Sequence, residues 1–352
     1  MGARRLGSTC SIFVILSAAL SALGLSRTIM RFRVFGIILF LALGILSTPL
    51  ASDAQQSAKV PRIGYLATHP AWTPYFNSAM KNLGYNEGKD FVVIWRVSDE
   101  GPAHLRAIAQ DLVALGVDLI LVDSTPAAFA AKSATERIPI VIAALADPVG
   151  SGLVASLTRP GGNVTGTTIM SRDVMAKRVQ LLKEAAPAVS TVIIVWNPTH
   201  PSGAVQLRDA EAAAVQFRLK PLGVPVRSAR DVDSAFAVVG KRGYGLLLTD
   251  DTLLINQADR LALLAVDRRL PAIGGFRGFV ESGVLMSYGP SLAEQFEGAA
   301  LYTDKILKGA QPADLPVLQA SKFDLVINLK TAKEAELMLP QSILLRADEV
   351  IR

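Results

Sequence analysis

From Arg62 onward, short and continuously apolar runs alternate with stretches whose apolar residues recur at helical spacing. Residues 62–67, 91–95, 118–122 and 138–142 read as strands, and 75–83, 104–115 and 126–135 as helices. The second helix carries Leu105, Ile108, Ala109, Leu112 and Leu115 on one face and stops at Gly116. A strand that is apolar throughout, such as the run from Leu119 to Val122, needs cover on both of its faces. Parallel sheets clothed by crossover helices provide that cover, so the chain reads as α/β. The alternation then starts again beyond the glycine-rich stretch 159–166. Helices are expected over 173–186, 204–217 and 253–269, and strands over 191–196, 245–248 and 272–273. Later segments are 284–288, the helix 292–307 and 323–328. No short fixed period links the two halves, which excludes a solenoid and favours two similar lobes.

A chain of 352 residues with 51% apolar side chains and one cysteine is long enough for two cores and is no disulfide scaffold. The net charge of +6 raises the question of a nucleic-acid or membrane-surface partner, which its distribution answers. Residues 1–54 hold Arg4, Arg5, Arg27, Arg31 and Arg33 against Asp53, a net +4, which leaves +2 for the rest. That basic excess accompanies two apolar stretches, 12–25 and 34–46, both shorter than the roughly 18 to 20 residues of a membrane span. The second has the form of a secretory signal, with Arg31 and Arg33 ahead of it and small residues after Pro49. A cut after Ala54 is expected, with Ala51 as the second choice and Met30 as a candidate start. Cys10 precedes both stretches, so the exported body contains no cysteine and calls for no thiol chemistry.

Familiar catalytic motifs are missing from this body. His69, His104 and His200 form no pair at metal-ligand spacing, and there is neither a phosphate-binding loop nor a serine nucleophile elbow. A dinucleotide-like match at Gly150 and Gly152, with Asp173 downstream, does not sit in a tight strand-to-helix turn, and its glycines read as turn residues opening a short helix. No cofactor, metal or nucleic acid is therefore expected. The informative residues lie at the C-terminal ends of the expected strands, where open parallel sheets bind ligands. These are the loop from Thr68 to Trp72, Ser124 and Thr125, Asp147, Asn197, Thr199, Asp250, Asp251 and Phe276. Hydroxyls and free amides ahead of a helix suit a carboxylate, an aspartate suits an ammonium group, and Trp72 or Phe276 suits an apolar part. Each has a plainer competing role, as a helix cap or in core packing.

Several strings occur in order along the chain: Ile138 to Val141, Asp147 to Leu157, Arg159 to Gly166, Trp196 to Pro198, Gly275 to Arg277, Leu285 to Gly289, Ile306 to Ala310, Ala313 to Pro316 and Lys322 to Ala332. Together they closely resemble the ABC-transporter substrate-binding proteins related to bacterial tryptophan and tyrosine uptake components, over about residues 60 to 351. The resemblance implies a type I periplasmic-binding-protein fold, two doubly wound parallel-sheet lobes joined by a multi-strand hinge. Lobe 1 would comprise 60–168 plus about 289–318, and lobe 2 169–288 plus about 319–352. It implies a periplasmic monomer that takes a small-molecule ligand, an amino acid or related small carboxylate, into the cleft and passes it to an inner-membrane permease. It also adds Thr167 and Tyr288 to the cleft residues Thr68, Trp72, Ser124, Thr125, Asp147, Asn197, Asp250 and Phe276. Two departures stand out. Gly278 replaces an acidic residue usual after the Phe-Arg pair, and the segment from Lys333 lacks the usual leucine-glycine helix ending. A nucleotide-dependent α/β enzyme and an extracellular ligand-sensing subunit for a membrane receptor remain as alternatives. A ligand-sensing regulator on the same lobes would need a helix-turn-helix ahead of residue 60, where this chain has its apolar stretches.

Overall fold

In the computed structural model the described residues are 59–352 except 70, 71, 99, 170 and 238–242. The signal segment, its cut sites and Met30 lie outside them, as do Pro70 and Ala71 of the first strand-end loop. Residues 60–352 form one compact unit built on two sheets. The first sheet contains β1 (Arg62–Ala67), β2 (Val92–Val97), β3 (Leu119–Val122), β4 (Ile140–Leu145), β5 (Val164–Thr168) and β11 (Leu318–Gln319) in the order 11-5-4-3-1-2. The second contains β6 (Thr191–Trp196), β7 (Lys220–Pro225), β8 (Tyr244–Leu248), β9 (Ala272–Gly274), β10 (Met286–Pro290), β12 (Phe323–Asn328) and β13 (Glu349–Ile351) in the order 13-12-10-9-8-6-7. Each sheet thus repeats the doubly wound order 2-1-3-4-5, counted along its own first five strands. The strands β1, β3 and β4 are buried almost throughout, as continuous apolar runs require.

The helices begin where their sequences say they must. Helices α1 (Thr73–Asn82), α2 (Pro102–Ala114) and α3 (Thr125–Ala134) all carry proline in the first turn, whose missing N–H is no loss there. Ser124 caps α3, its Oγ accepting from the Ala127 amide at 3.4 Å. Helix α4 (Ser171–Ala185) follows β5 and lies on the second sheet, and α5 (Gly203–Gln216) packs beside it. Shorter helices α6 (Val232–Ala235), α7 (Thr252–Asn256), α8 (Ala258–Asp267) and α9 (Arg277–Glu281) follow, and α10 (Leu292–Leu307) returns to pack on α1, β4 and β5. The last helices are α11 (Leu329–Glu334) and α12 (Gln341–Leu344). The chain passes between the sheets after β5, after β10 and between β11 and β12, giving three crossings.

Four features depart from the sequence reading. β10 and β12 pair antiparallel, so the second sheet is not parallel throughout. β7 contains Pro221 and Pro225 and sits at a sheet edge, where a missing ladder donor is tolerated. Residues 164–168 form the buried strand β5, where polar threonines hide a strand signal. No helix opens at Gly150, because residues 148–155 form turns and bends.

Candidate functional site

The strand order places a reversal between β1 and β3 in one sheet and between β6 and β8 in the other. At such switch points neighbouring loops diverge and leave a crevice beyond the strand ends. The two crevices face each other. Between them lies an inner cavity of about 30 Å³ lined by Trp72, Asp123, Ser124, Thr125, Ala144, Ala146 and Ile169 from one side and His200, Asp250, Asp251, Thr252, Ile255 and Phe276 from the other. Trp72 and Phe276 meet across it with ring centroids 5.2 Å apart, and both are buried. One apolar cluster runs through this pair from the first sheet to the second. Next to the inner cavity lies a vestibule of about 400 Å³, with Thr68, Ser98, Pro126, Asn197, Thr199 and Arg227 in its wall. His200, Asp251 and Thr252 line both spaces. An inner cavity this small holds about one water, whereas ligand pockets measure roughly 300–1,000 Å³, a range into which the vestibule falls.

Six residues selected from strand ends, Trp72, Ser124, Thr125, Asp250, Asp251 and Phe276, line the inner cavity together. Thr68 and Asn197 stand in the vestibule instead. Asn197 Nδ2 donates to Asp251 Oδ2 at 3.2 Å, and its Oδ1 accepts from the amide and hydroxyl of Thr199. Thr68 contributes to the cavity from behind, its amide and hydroxyl both donating to Asp123 Oδ1, at 2.9 and 3.1 Å. Asp147 lines neither space. Its Oδ1 accepts from the Gly150 amide at 2.7 Å, the familiar work of an aspartate in a turn. Tyr288 also lines neither and stacks on Phe323.

Thr167 acts on the wall without reaching the cavity. Its hydroxyl accepts from the Ala144 amide at 3.0 Å and lies 3.3 Å from the Gln295 carbonyl, to which it donates. Ala144 has φ 59°, left-handed for a residue with a side chain, at a register shift between β4 and β5. Beside it Gly166 has φ 138°, and a Cβ there would overlap the Ile142 backbone. The kink turns Ala144 into the cavity wall.

Three residues that carry the electrostatics were not singled out from sequence. Arg178 on α4 is fully buried. Its Nη1 donates to Asp250 Oδ2 at 2.9 Å and its Nε to the Tyr288 carbonyl on β10 at 2.7 Å. Among the described residues Arg178 Nη2 and Asp250 Oδ1 have no hydrogen-bond partner, and a Cβ on Gly275 would overlap both. Asp250 therefore keeps one carboxylate oxygen uncommitted in a buried wall. Asp123 is fully buried, and burial pushes its carboxyl up to about 7 despite the hydrogen bonds from Thr68 and Tyr65 that oppose the rise. His200 is buried, and desolvation lowers its pKa against the raising influence of Asp251 and Asp250. The sequence signal for Arg178 was available, since Met175, Val179 and Leu182 put it on the apolar face of its helix.

The family model described as ABC transporter substrate binding protein matches residues 71–351, four-fifths of the chain. The chain belongs to this family. Its members are binding proteins and not enzymes, which agrees with a cleft of hydroxyls, aspartates and aromatic rings. A protein of Clostridioides difficile named tyrosine-binding protein is 28% identical over 280 residues, covering 78% of this chain and 80% of that protein. A Streptococcus pneumoniae ABC domain solved with L-Trp is 27% identical, with a TM-score of 0.78 over 83% of this chain and 100% of that one. A ligand-free, open structure of a substrate-binding protein with adhesive properties from Clostridium difficile is also 27% identical, over 83% and 99%, but its TM-score is 0.62. Over the whole chain this family member is thus more similar in structure to the L-Trp complex than to the open form.

Proposed function

We propose that this family member is an exported, periplasmic monomer that captures an L-amino acid with an aromatic side chain and presents it to an inner-membrane permease. The observation that carries the reading is the amphipathic division of the inner cavity. Trp72, Ala144, Ala146, Ile169, Ile255 and Phe276 give it an apolar part, and Ser124, Thr125, His200, Asp250, Asp251 and Thr252 a polar one. A zwitterionic head with an apolar tail matches that division. The Thr125 amide at the start of α3 and the hydroxyls of Ser124 and Thr125 suit the carboxylate. The free Oδ1 of Asp250, whose other oxygen is held by Arg178, suits the ammonium group. Trp72 and Phe276 would part to admit the ring and cover its faces.

Capture by hinge closure fits three chain crossings between lobes whose facing edges carry the polar groups. The relatives at 27–28% identity whose name or title gives a ligand, the tyrosine-binding protein and the L-Trp complex, name aromatic amino acids, in line with this cavity. Secretion through the segment before residue 55 would bring the body to the compartment where a permease could receive it. The test is thermal denaturation with each of the twenty L-amino acids and with small carboxylates. L-tryptophan or L-tyrosine is expected to raise the midpoint most, and no shift with any compound would refute the proposal.

A further inference from the structure

The head group of a zwitterion carries a carboxylate, yet among the described residues no arginine or lysine lines the inner cavity. A chain of hydrogen bonds identifies another donor. The Asp250 amide donates to Gln206 Oε1 at 2.7 Å, which fixes the orientation of that side-chain amide. Gln206 Nε2 then donates to the Asp250 carbonyl at 3.0 Å and to Ser202 Oγ at 3.2 Å. The Ser202 amide, which can only donate, gives its hydrogen to His200 Nδ1 at 3.2 Å, and the Ser202 hydroxyl lies 3.0 Å from the same nitrogen. Nδ1 is therefore an acceptor, and the ring proton must sit on Nε2.

His200 is 8% exposed and stands where the inner cavity meets the vestibule. Asp251, which lines both spaces with it, offers no such donor. Asp251 uses Oδ1 for the Leu253 and Leu254 amides and Oδ2 for Asn197, and as a carboxylate it repels an anion. We infer that His200 is a ligand-binding residue whose Nε2–H donates to the carboxylate of the bound amino acid, from the lobe opposite Ser124 and Thr125. The inference rests on the amino-acid reading above. It places one end of the head group between donors from both lobes, so the carboxylate itself draws the lobes together. Burial lowers the imidazole's pKa and so favours its neutral form, in which the donor adds no second cation beside the ammonium group.

The experiment is calorimetric titration of the full chain, as native protein, His200→Leu and His200→Gln. The titrants are L-tryptophan or L-tyrosine, whichever the native protein binds, and the matching amine without the carboxylate, tryptamine or tyramine. His200→Leu should weaken the amino acid about tenfold to a hundredfold, as expected for a hydrogen bond to a charged group, and leave the amine unchanged. His200→Gln, which can place a donor near the Nε2 position, should recover most of the loss. Equal losses for amino acid and amine, or equal losses in the two variants, overturn the inference while the functional reading stands. If the amine does not bind native protein, the carboxylate is essential, and recovery by glutamine over leucine decides. If native protein binds neither amino acid, both the functional reading and this inference fail.

Discussion

Replacing Asp123 by asparagine isolates one buried charge and should change the pH dependence of stability in a calculable way. Asp123 accepts from the Thr68 amide and hydroxyl and, at 3.4 Å, from the Tyr65 hydroxyl. Its carboxyl is held near 7 by burial, against an ordinary value of 3.8 in the unfolded chain. The folded state therefore keeps a proton between about pH 4 and pH 7 that the unfolded state has released. Stability from this group is fully present below pH 4, falls as pH rises through that window, and is flat above it. A shift of about three units at about 1.4 kcal/mol each makes the fall about 4 kcal/mol. Asparagine cannot ionise, and its Oδ1 can still accept from Thr68. Urea unfolding of native protein and Asp123→Asn at pH 4, 6 and 8 measures the effect as a difference, so other titrating groups cancel. The stability of the variant relative to native should rise by several kcal/mol from pH 4 to pH 8, with the change levelling off about one unit above pH 7. A difference that is constant across this range would refute the assignment of a protonated, buried Asp123.

Other consequences follow from the buried ion pair and the kinked wall. Arg178→Met leaves the Asp250 carboxylate buried without its partner and should cost about 3–5 kcal/mol by chemical denaturation. Adding Asp250→Asn to it should recover part of that loss, whereas strict additivity would contradict the pairing. Gly275→Ala places a methyl group on Asp250 Oδ1 and Arg178 Nη2 and should lower both stability and amino-acid affinity, as read by thermal shift with and without ligand. Gly166→Ala meets the Ile142 backbone at φ 138° and should destabilise the first lobe by more than the few tenths of a kcal/mol of an ordinary surface change.

The sequence exposed those parts of the fold that depend on continuous burial. β1, β3, β4, β6 and β8 appear as apolar runs because both faces of the central strands are covered. β5 was hidden, since its two neighbours in the sheet leave room for threonines and a glycine whose hydroxyls bond to the backbone of Leu145 and Leu315. β7 was hidden by prolines that only an edge position accepts. At the site, the rule that ligands gather at strand ends led to Ser124, Thr125 and Asp250, because the rule depends on topology alone. It could not say that Asp147 would turn back onto its own loop or that Tyr288 would stack away from the cleft, since both depend on side-chain direction. Thr68 and Asn197 were found at the correct strand ends but face the vestibule. Arg178 and His200 escaped for a different reason. Each reaches Asp250 through space, the arginine from a helix 72 residues away and the histidine through Ser202 and Gln206.

The central claim is that an amino acid is held between these lobes with its ammonium group on Asp250. Isothermal titration of native protein and Asp250→Asn with L-tryptophan and L-tyrosine tests it most directly. The account predicts one site per chain in the native protein and, in the variant, a loss of at least about a hundredfold for the amino acid that binds, as for truncation of a buried charged contact. Equal affinity in native protein and variant, or no binding of either amino acid to native protein, would contradict it.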